Sequence, residues 1–180
     1  GSENIMDYRY RKNSDRQKPE QKLPKTDQTS NCRKARLKAL KILERMDRTE
    51  AQLREKLLQA EFSPELVEDA IAYVKSYGYI DDERYVRNYI EYRREQKSRR
   101  QLEQELQYRK GVPQELIQKV YEDLEPADEK PLIRRFLEKK GYRPEITDEK
   151  TRRKLIAALL RKGFRMGDVL AVLRETDGWS

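Results

Sequence analysis

The sequence predicts an all-α protein: three tandem three-helix repeats, nine helices in an elongated, curved array. Three observations predict it. Apolar residues recur at helical spacing in segment after segment, so each segment offers one stripe to a core. A joint that stops one helix and starts the next is clearest over residues 78–93, GYIDDERYVRNYIEYR, and returns elsewhere at near-constant intervals. The chain is 41% charged and 36% hydrophobic, which suits a thin core shared along stacked helices better than one large globular core.

Residues 1–32 are polar, with Pro19, Pro24 and few apolar anchors, and read as a flexible N-terminal arm; Gly1 and Ser2 read as a cloning remnant. Tyr8 and Tyr10 among Arg9, Arg11 and Lys12 form a small basic-aromatic cluster suited to stacking on bases or to resting on a neighbouring chain, although the composition favours a disordered arm without a function of its own. Repeat one is expected over 33–80. Ala39, Ile42, Leu43 and Met46 mark its first helix. Thr49 with Gln52 is a capping box opening a helix with stripe Leu53, Leu57 and Ala60, and Ser63 followed by Pro64 starts a third with Leu66, Val67, Ala70, Ile71 and Val74.

Repeat two is expected over 81–125. Gly78 ends the preceding helix and Asp81 is the expected N-cap of the next, whose stripe is Tyr85, Val86, Tyr89 and Ile90. Ser98 with Gln101 repeats the capping box 49 residues after Thr49, with Leu102 and Leu106 beneath it. Gly111 and Pro113 precede a third helix in which Leu116, Ile117, Val120, Tyr121 and Leu124 copy the earlier face. Repeat three, with a C-terminal tail, is expected over 126–180. Leu132, Ile133, Phe136 and Leu137 repeat the stripe of Tyr85, Val86, Tyr89 and Ile90, and Pro131 is tolerated in the first turn. Gly141 and Pro144 break the chain, Thr147 or Asp148 restarts it, Leu155, Leu159 and Phe164 follow, and a last helix carries Val169, Leu170 and Leu173.

The chemistry-bearing residues exclude most enzyme classes. There is no His, one Cys, no phosphate-cradling glycine loop and no nucleophile elbow, so the expectation is no catalytic residue, no cofactor and no metal. Asp81, Asp82 and Glu83 are adjacent on a helix and diverge by about 100° each, so they serve capping rather than an ion. A lone Cys32 and the lack of a long apolar run, the longest being 155–160, point to a cytoplasmic protein that does not engage a membrane.

Charge carries the functional signal. The net charge is +8, and residues 126–180 hold 14 basic against 9 acidic groups. Two basic runs stand out. Arg93, Arg94, Lys97, Arg99 and Arg100 lie where one helix of repeat two ends and the next begins. Arg134, Arg135, Lys139, Lys140, Arg152, Arg153, Arg161 and Lys162 crowd repeat three, and Arg135, Lys139, Arg152 and Arg161 are expected to line one groove. Such runs contact phosphates or acidic side chains, or merely complement helix C-termini. The third helices of repeats one and two carry Glu65, Glu68 and Asp69, and Glu115, Glu122 and Asp123, so base readout by a recognition helix is disfavoured.

Residues 78–93, followed by SRRQLEQELQYRKGV over 98–112 and preceded by TEAQLREKLLQAEFSPELVEDAI over 49–71, resemble the signature of the RecX family, bacterial regulators of the RecA recombinase. The resemblance spans about residues 35–175 and implies three repeats of three helices. It also implies a modulator that binds RecA and its filament on single-stranded DNA. Such proteins mostly inhibit ATP hydrolysis, strand exchange and the co-protease activity of the SOS response. Partners expected on this basis are RecA, in the filament and as free protein, and the DNA phosphate backbone, with the chain itself a monomer. The alternative is a stand-alone, sequence-independent nucleic-acid-binding helical repeat protein. A helical adaptor for an unrelated acidic partner is a third reading.

Overall fold

A computed structural model describes residues 27–178. Most of the polar arm, including the Tyr8 and Tyr10 cluster, lies outside the described residues. Within them nine α-helices follow one another without a strand: α1 (Asp27–Arg45), α2 (Glu50–Gln59), α3 (Pro64–Ser76), α4 (Asp82–Arg93), α5 (Arg99–Gln104), α6 (Gln114–Asp123), α7 (Lys130–Lys139), α8 (Glu149–Arg161) and α9 (Met166–Thr176). The first helix thus begins at Asp27, inside the stretch whose composition suggests an arm.

Local chemistry sets the helix starts. Thr49 and Ser98 each complete a capping box with Gln52 and Gln101, while Ser63 accepts a hydrogen bond from the Leu66 amide and Pro64 opens α3. Asp81 accepts from the Arg84 amide and Asp148 from the Thr151 amide, so both cap their own helices. Helix ends are set by left-handed residues. Gly78, Gly141 and Gly163 have φ of 71°, 71° and 95°, and the same conformation is held by Glu61, at φ 68°.

The described residues divide into two compact units, one formed by those up to Val86 with Lys110–Leu116, the other by Arg87–Arg109 with those from Ile117 onward. In the first, α1 packs on α2 and α3 through Ala35, Ala39, Leu43, Leu53, Leu57, Val67, Ala70, Ile71, Val74 and Ile80. In the second, Leu132, Ile133, Leu137, Leu159, Phe164, Val169, Val172 and Leu173 join α7, α8 and α9. Each fully buried leucine stabilises the fold by about 1.5–3 kcal/mol.

Two expected core positions are exposed, and several others, such as Ile42, Leu66 and Tyr85, are half-buried. Met46 is 53% exposed because α1 already ends at Arg45, and Ala60 is exposed because it is the C-cap of α2. Ala35, which the periodicity does not single out, is fully buried, and its small side chain permits close approach of α1.

One departure from regular geometry has a reading in the sequence. Glu61 follows Thr49 by 12 positions, whereas the corresponding Gly111 follows Ser98 by 13. The additional residue is absorbed by a π turn over Glu105–Arg109, which continues α5 and keeps both Leu102 and Leu106 buried.

The repeats are joined by a recurring knot. The Thr49 hydroxyl accepts from the Gln52 amide and donates to the Lys110 carbonyl at 2.5 Å; the Ser98 hydroxyl accepts from Gln101 and donates to the Lys162 carbonyl at 2.9 Å. Both cap residues are 0% exposed. The next residue after each acceptor is a glycine in the left-handed region, and neither has room for a side chain. A Cβ on Gly111 would meet the Ala51 Cβ at 2.5 Å, and one on Gly163 would fall within the Arg100 side chain.

An acidic residue completes each knot. Asp82 accepts from the Glu50 amide at 2.9 Å, and Glu129, 47 positions later, accepts from the Arg99 amide at 3.1 Å. Asp81 therefore caps its own helix while Asp82 caps α2, a division of labour that the acidic run alone does not reveal. Burial raises the pKa of both Asp82 and Glu129, opposed in each case by the backbone amide each one accepts.

Candidate basic interface

The basic residues singled out from the sequence fall into engaged and exposed sets. At the end of α4, Arg93 stacks 3.8 Å above the Tyr89 ring, and Arg94 donates from Nη2 to the Glu125 carbonyl at 2.6 Å. Lys97 is paired with Glu105, which also accepts from the Tyr89 hydroxyl at 2.8 Å. Burial disfavours the Glu105 charge, yet the Lys97 and Tyr89 hydrogen bonds outweigh it and hold its pKa below the ordinary value. Arg99 bridges Glu103 at 2.7 Å and Gln118 at 2.9 Å and lies 4.3 Å from the Tyr121 ring.

In repeat three, Arg134 pairs with Glu175 at 2.9 Å, and Arg152 reaches Asp177 at 3.4 Å beside Tyr142. Arg153 donates to the Glu149 carbonyl at 3.4 Å along its own helix. Arg135, Lys139 and Arg161 are exposed. The expected groove of Arg135, Lys139, Arg152 and Arg161 therefore loses one member, because Arg152 is half-buried and held by the C-terminal end of α9.

What the structure does bring together is different. Lys140 and Lys162 approach one Phe136 ring, at 5.7 and 5.4 Å from its centroid, so the ends of α7 and α8 present two ammonium groups around one aromatic face. The Lys162 carbonyl is the acceptor of Ser98, so this pair is tied by its backbone to the run through Lys97, Arg99 and Arg100. Two basic runs that the sequence separates by dozens of residues thus adjoin.

Beside the first run lies a cleft of about 360 Å³, lined by Arg94, Arg99, Arg100, Tyr121, Glu129 and Arg165 among others. Sequence periodicity places Tyr121 in a core stripe. It is indeed 8% exposed, but its hydroxyl faces no hydrogen-bond partner. Burial, with the nearby Glu103 charge, raises its pKa far above the ordinary tyrosine value, so it remains a donor across the physiological range. No signal in the sequence marks this cleft, since it depends on contacts between residues dozens of positions apart.

Among the described residues no group of three or more His, Cys, Asp or Glu is placed to hold a metal ion, and no helix is long and apolar enough to cross a membrane.

Comparison with known proteins places this architecture. Family models for the first, second and third RecX three-helix domains match residues 35–73, 81–120 and 128–173. The chain is 36% identical over 156 residues to the regulatory protein RecX of Trichlorobacter lovleyi, covering 83% of this chain and 97% of that one. It is 32% identical over 147 residues to that of Caldanaerobacter subterraneus, covering 81% and 72%, and 37% identical over 126 residues to that of Actinobacillus pleuropneumoniae, covering 69% and 81%. The crystal structure of RecX from Lactobacillus salivarius superposes with a TM-score of 0.67 at 17% identity, over 82% of this chain and 97% of that one, and shares the fold. With all three repeats matched in order and a relative aligned along nearly its whole length, the chain belongs to the RecX family, regulatory proteins that modulate RecA rather than catalyse a reaction.

Proposed function

We propose that this chain restrains RecA in the cytoplasm by lying as a monomer against the RecA filament on single-stranded DNA. The joined basic surface contacts phosphate and acidic side chains of neighbouring subunits. Spanning subunits resists the opening and closing that ATP turnover requires, so the protein acts by occlusion. The observation that carries this reading is the Ser98 to Lys162 hydrogen bond. It sets the basic residues at the start of α5 beside the paired lysines of α7 and α8, making one cationic surface of two. Within the thirteen basic candidates, the exposed Arg100, Arg135, Lys139, Lys140, Arg161 and Lys162 are assigned the contacts, whereas Arg134 and Arg152 are assigned to holding the repeat together.

The test is RecA-dependent ATP hydrolysis on single-stranded DNA as the chain is added. The double variant K140Q/K162Q is expected to need roughly tenfold more protein for half-inhibition, as removing two phosphate contacts implies, with circular dichroism still helical. An unchanged midpoint would reject this surface. The net charge of +8 also supports a second reading, sequence-independent binding to nucleic acid alone. It predicts tight, salt-sensitive DNA binding without RecA and no effect on hydrolysis beyond competition for DNA.

A further inference from the structure

One face of α1 carries a row of cations. Lys34, Lys38, Lys41 and Arg45 follow one another at i, i+4, i+7 and i+11, which sets them along one side of the helix over roughly 16 Å. Other basic residues of the first repeat are paired: Arg36 is held by Asp69 at 2.9 Å, Arg54 by Glu68 at 2.6 Å and Lys75 by Glu50 at 3.1 Å. The four in the row have no acidic partner among the described residues, and neither do Arg48, just after α1, and Lys56 on α2.

Two clefts border this row on either side of the turn between α2 and α3. The first, of about 440 Å³, has Leu37, Leu40 and Phe62 as its apolar lining, with Lys34, Lys38 and Lys41 around them. The second, of about 300 Å³, is lined by Lys38, Arg45, Arg48 and Lys56 with Ile42, Gln59 and Ala60. Lys38 belongs to both, so the clefts adjoin. Glu44, in the first, is the one carboxylate lining either; Glu55 and Glu61 line neither. Leu37 is 60% exposed, a large apolar side chain left in water beside two others that are half-buried.

Charge and apolar surface together define the occupant. Six unpaired cations repel one another, and Arg48 and Lys56 are half-buried, so an anion with several charges is favoured there. A nucleic-acid backbone would meet the cations but leave Leu37 and Leu40 in water. An acidic stretch of protein with a bulky apolar side chain covers both parts. A second copy of this chain is disfavoured by its net charge of +8, and residues 1–26, with seven basic against four acidic groups, complement the row no better.

We infer that this face of repeat one docks an acidic segment of a different protein. One large apolar side chain of that segment sits among Leu37, Leu40 and Phe62, and its carboxylates run along Lys38, Arg45, Arg48 and Lys56. The inference goes beyond the reading above, whose surface belongs to repeats two and three and uses none of these residues.

The experiment uses the full chain and a capped, fluorescent peptide of glutamates around one central leucine, followed by anisotropy. An all-glutamate peptide and oligodeoxythymidylate are the parallel arms. The leucine peptide is expected to bind saturably and about tenfold more tightly than the all-glutamate one, as burial of one leucine implies. L37Q should abolish that difference and leave the all-glutamate peptide unchanged. K38Q/R45Q should weaken both peptides about fivefold, as loss of two ion pairs at a surface implies. Leu37, Lys38 and Arg45 are all exposed, so these variants should melt at the parent's temperature. K140Q/K162Q should bind the leucine peptide within about twofold of the parent, because those lysines are remote from the row in sequence and belong to another repeat.

Equal binding of the two peptides would overturn the inference, since charge alone would then account for both. A leucine preference that survives L37Q would overturn it too, as would a larger loss in K140Q/K162Q than in K38Q/R45Q. If K38Q/R45Q weakens the oligonucleotide more than the leucine peptide, the face is a nucleic-acid contact and the inference falls.

Discussion

The Ser98 hydroxyl donates to the Lys162 carbonyl oxygen across 2.9 Å, 64 residues apart, while accepting from the Gln101 amide of its own helix. One small group thus starts a helix and locks the next repeat onto it. Replacing Ser98 with Ala removes a cap and leaves a carbonyl without its donor, so S98A is expected to lose about 2–4 kcal/mol. S98T should retain most of the stability because threonine fills the same role at position 49. Urea denaturation of the three proteins measures the difference; a loss below about 1 kcal/mol in S98A would show that the knot is dispensable.

Asp148 occupies the corresponding position in repeat three, but it is exposed and only accepts from Thr151. D148A should therefore lose only the cap, about 1 kcal/mol in the same assay. A cost equal to that of S98A would contradict the assignment of the additional stability to the bond between repeats.

Three equivalent left-handed residues have different neighbours. G111A and G163A place a Cβ against Ala51 and Arg100 in a conformation that L side chains resist, and each should lose at least about 2 kcal/mol. Glu61 holds the same conformation with an exposed side chain, so E61G should relieve strain and gain up to about 1 kcal/mol, the entropy of glycine setting the limit. Melting temperatures should order E61G above the parent and both alanine variants below it.

The pH dependence has a definite sign. Burial raises the pKa of Asp82 and Glu129, so the folded state binds their protons more tightly than the unfolded chain does. Their contribution is fully present below the ordinary carboxylate pKa and is lost as pH rises through the raised values. D82N and E129Q keep an acceptor for Glu50 and Arg99 without the charge, so each should gain on the parent as pH rises from about 3 to 7. Glu105 titrates oppositely: its pKa is lowered, and its contribution appears above the ordinary value and fades as pH falls through the folded one. In E105Q the acid-side loss should shrink. Stability curves from pH 3 to 8 that run parallel for all four proteins would refute these assignments.

Salt offers a further check on the surface around Phe136. If Lys140 and Lys162 each neutralise one phosphate, the K140Q/K162Q variant should reduce the slope of log affinity against log salt for single-stranded DNA by about 1.4. R134Q should change the slope little, because Arg134 is paired with Glu175 at 2.9 Å.

Much of the fold is legible because helix starts, stripes and stops are local. Thr49 with Gln52, Ser63 with Pro64, and Gly78 each act within a few residues, and periodicity places Leu53, Leu57, Ile71 and Val74 correctly in the core. Met46 misleads because its spacing fits a helix that has already ended. The site is less legible because ion pairing is not local. Nothing in the run Arg134 to Lys140 distinguishes an arginine held by Glu175 from a lysine beside Phe136, and Tyr121 reads as any other stripe residue. A buried hydroxyl that bonds 64 residues away looks, in the sequence, like an ordinary cap.

The knot also determines what happens where the series stops. Docking needs a hydroxyl that can give a proton on one side and a bare backbone on the other; the last socket holds a carboxylate, and the first plug carries the Glu61 side chain. Neither position can form the knot by this chemistry, so sedimentation velocity is expected to find one species that does not lengthen with concentration.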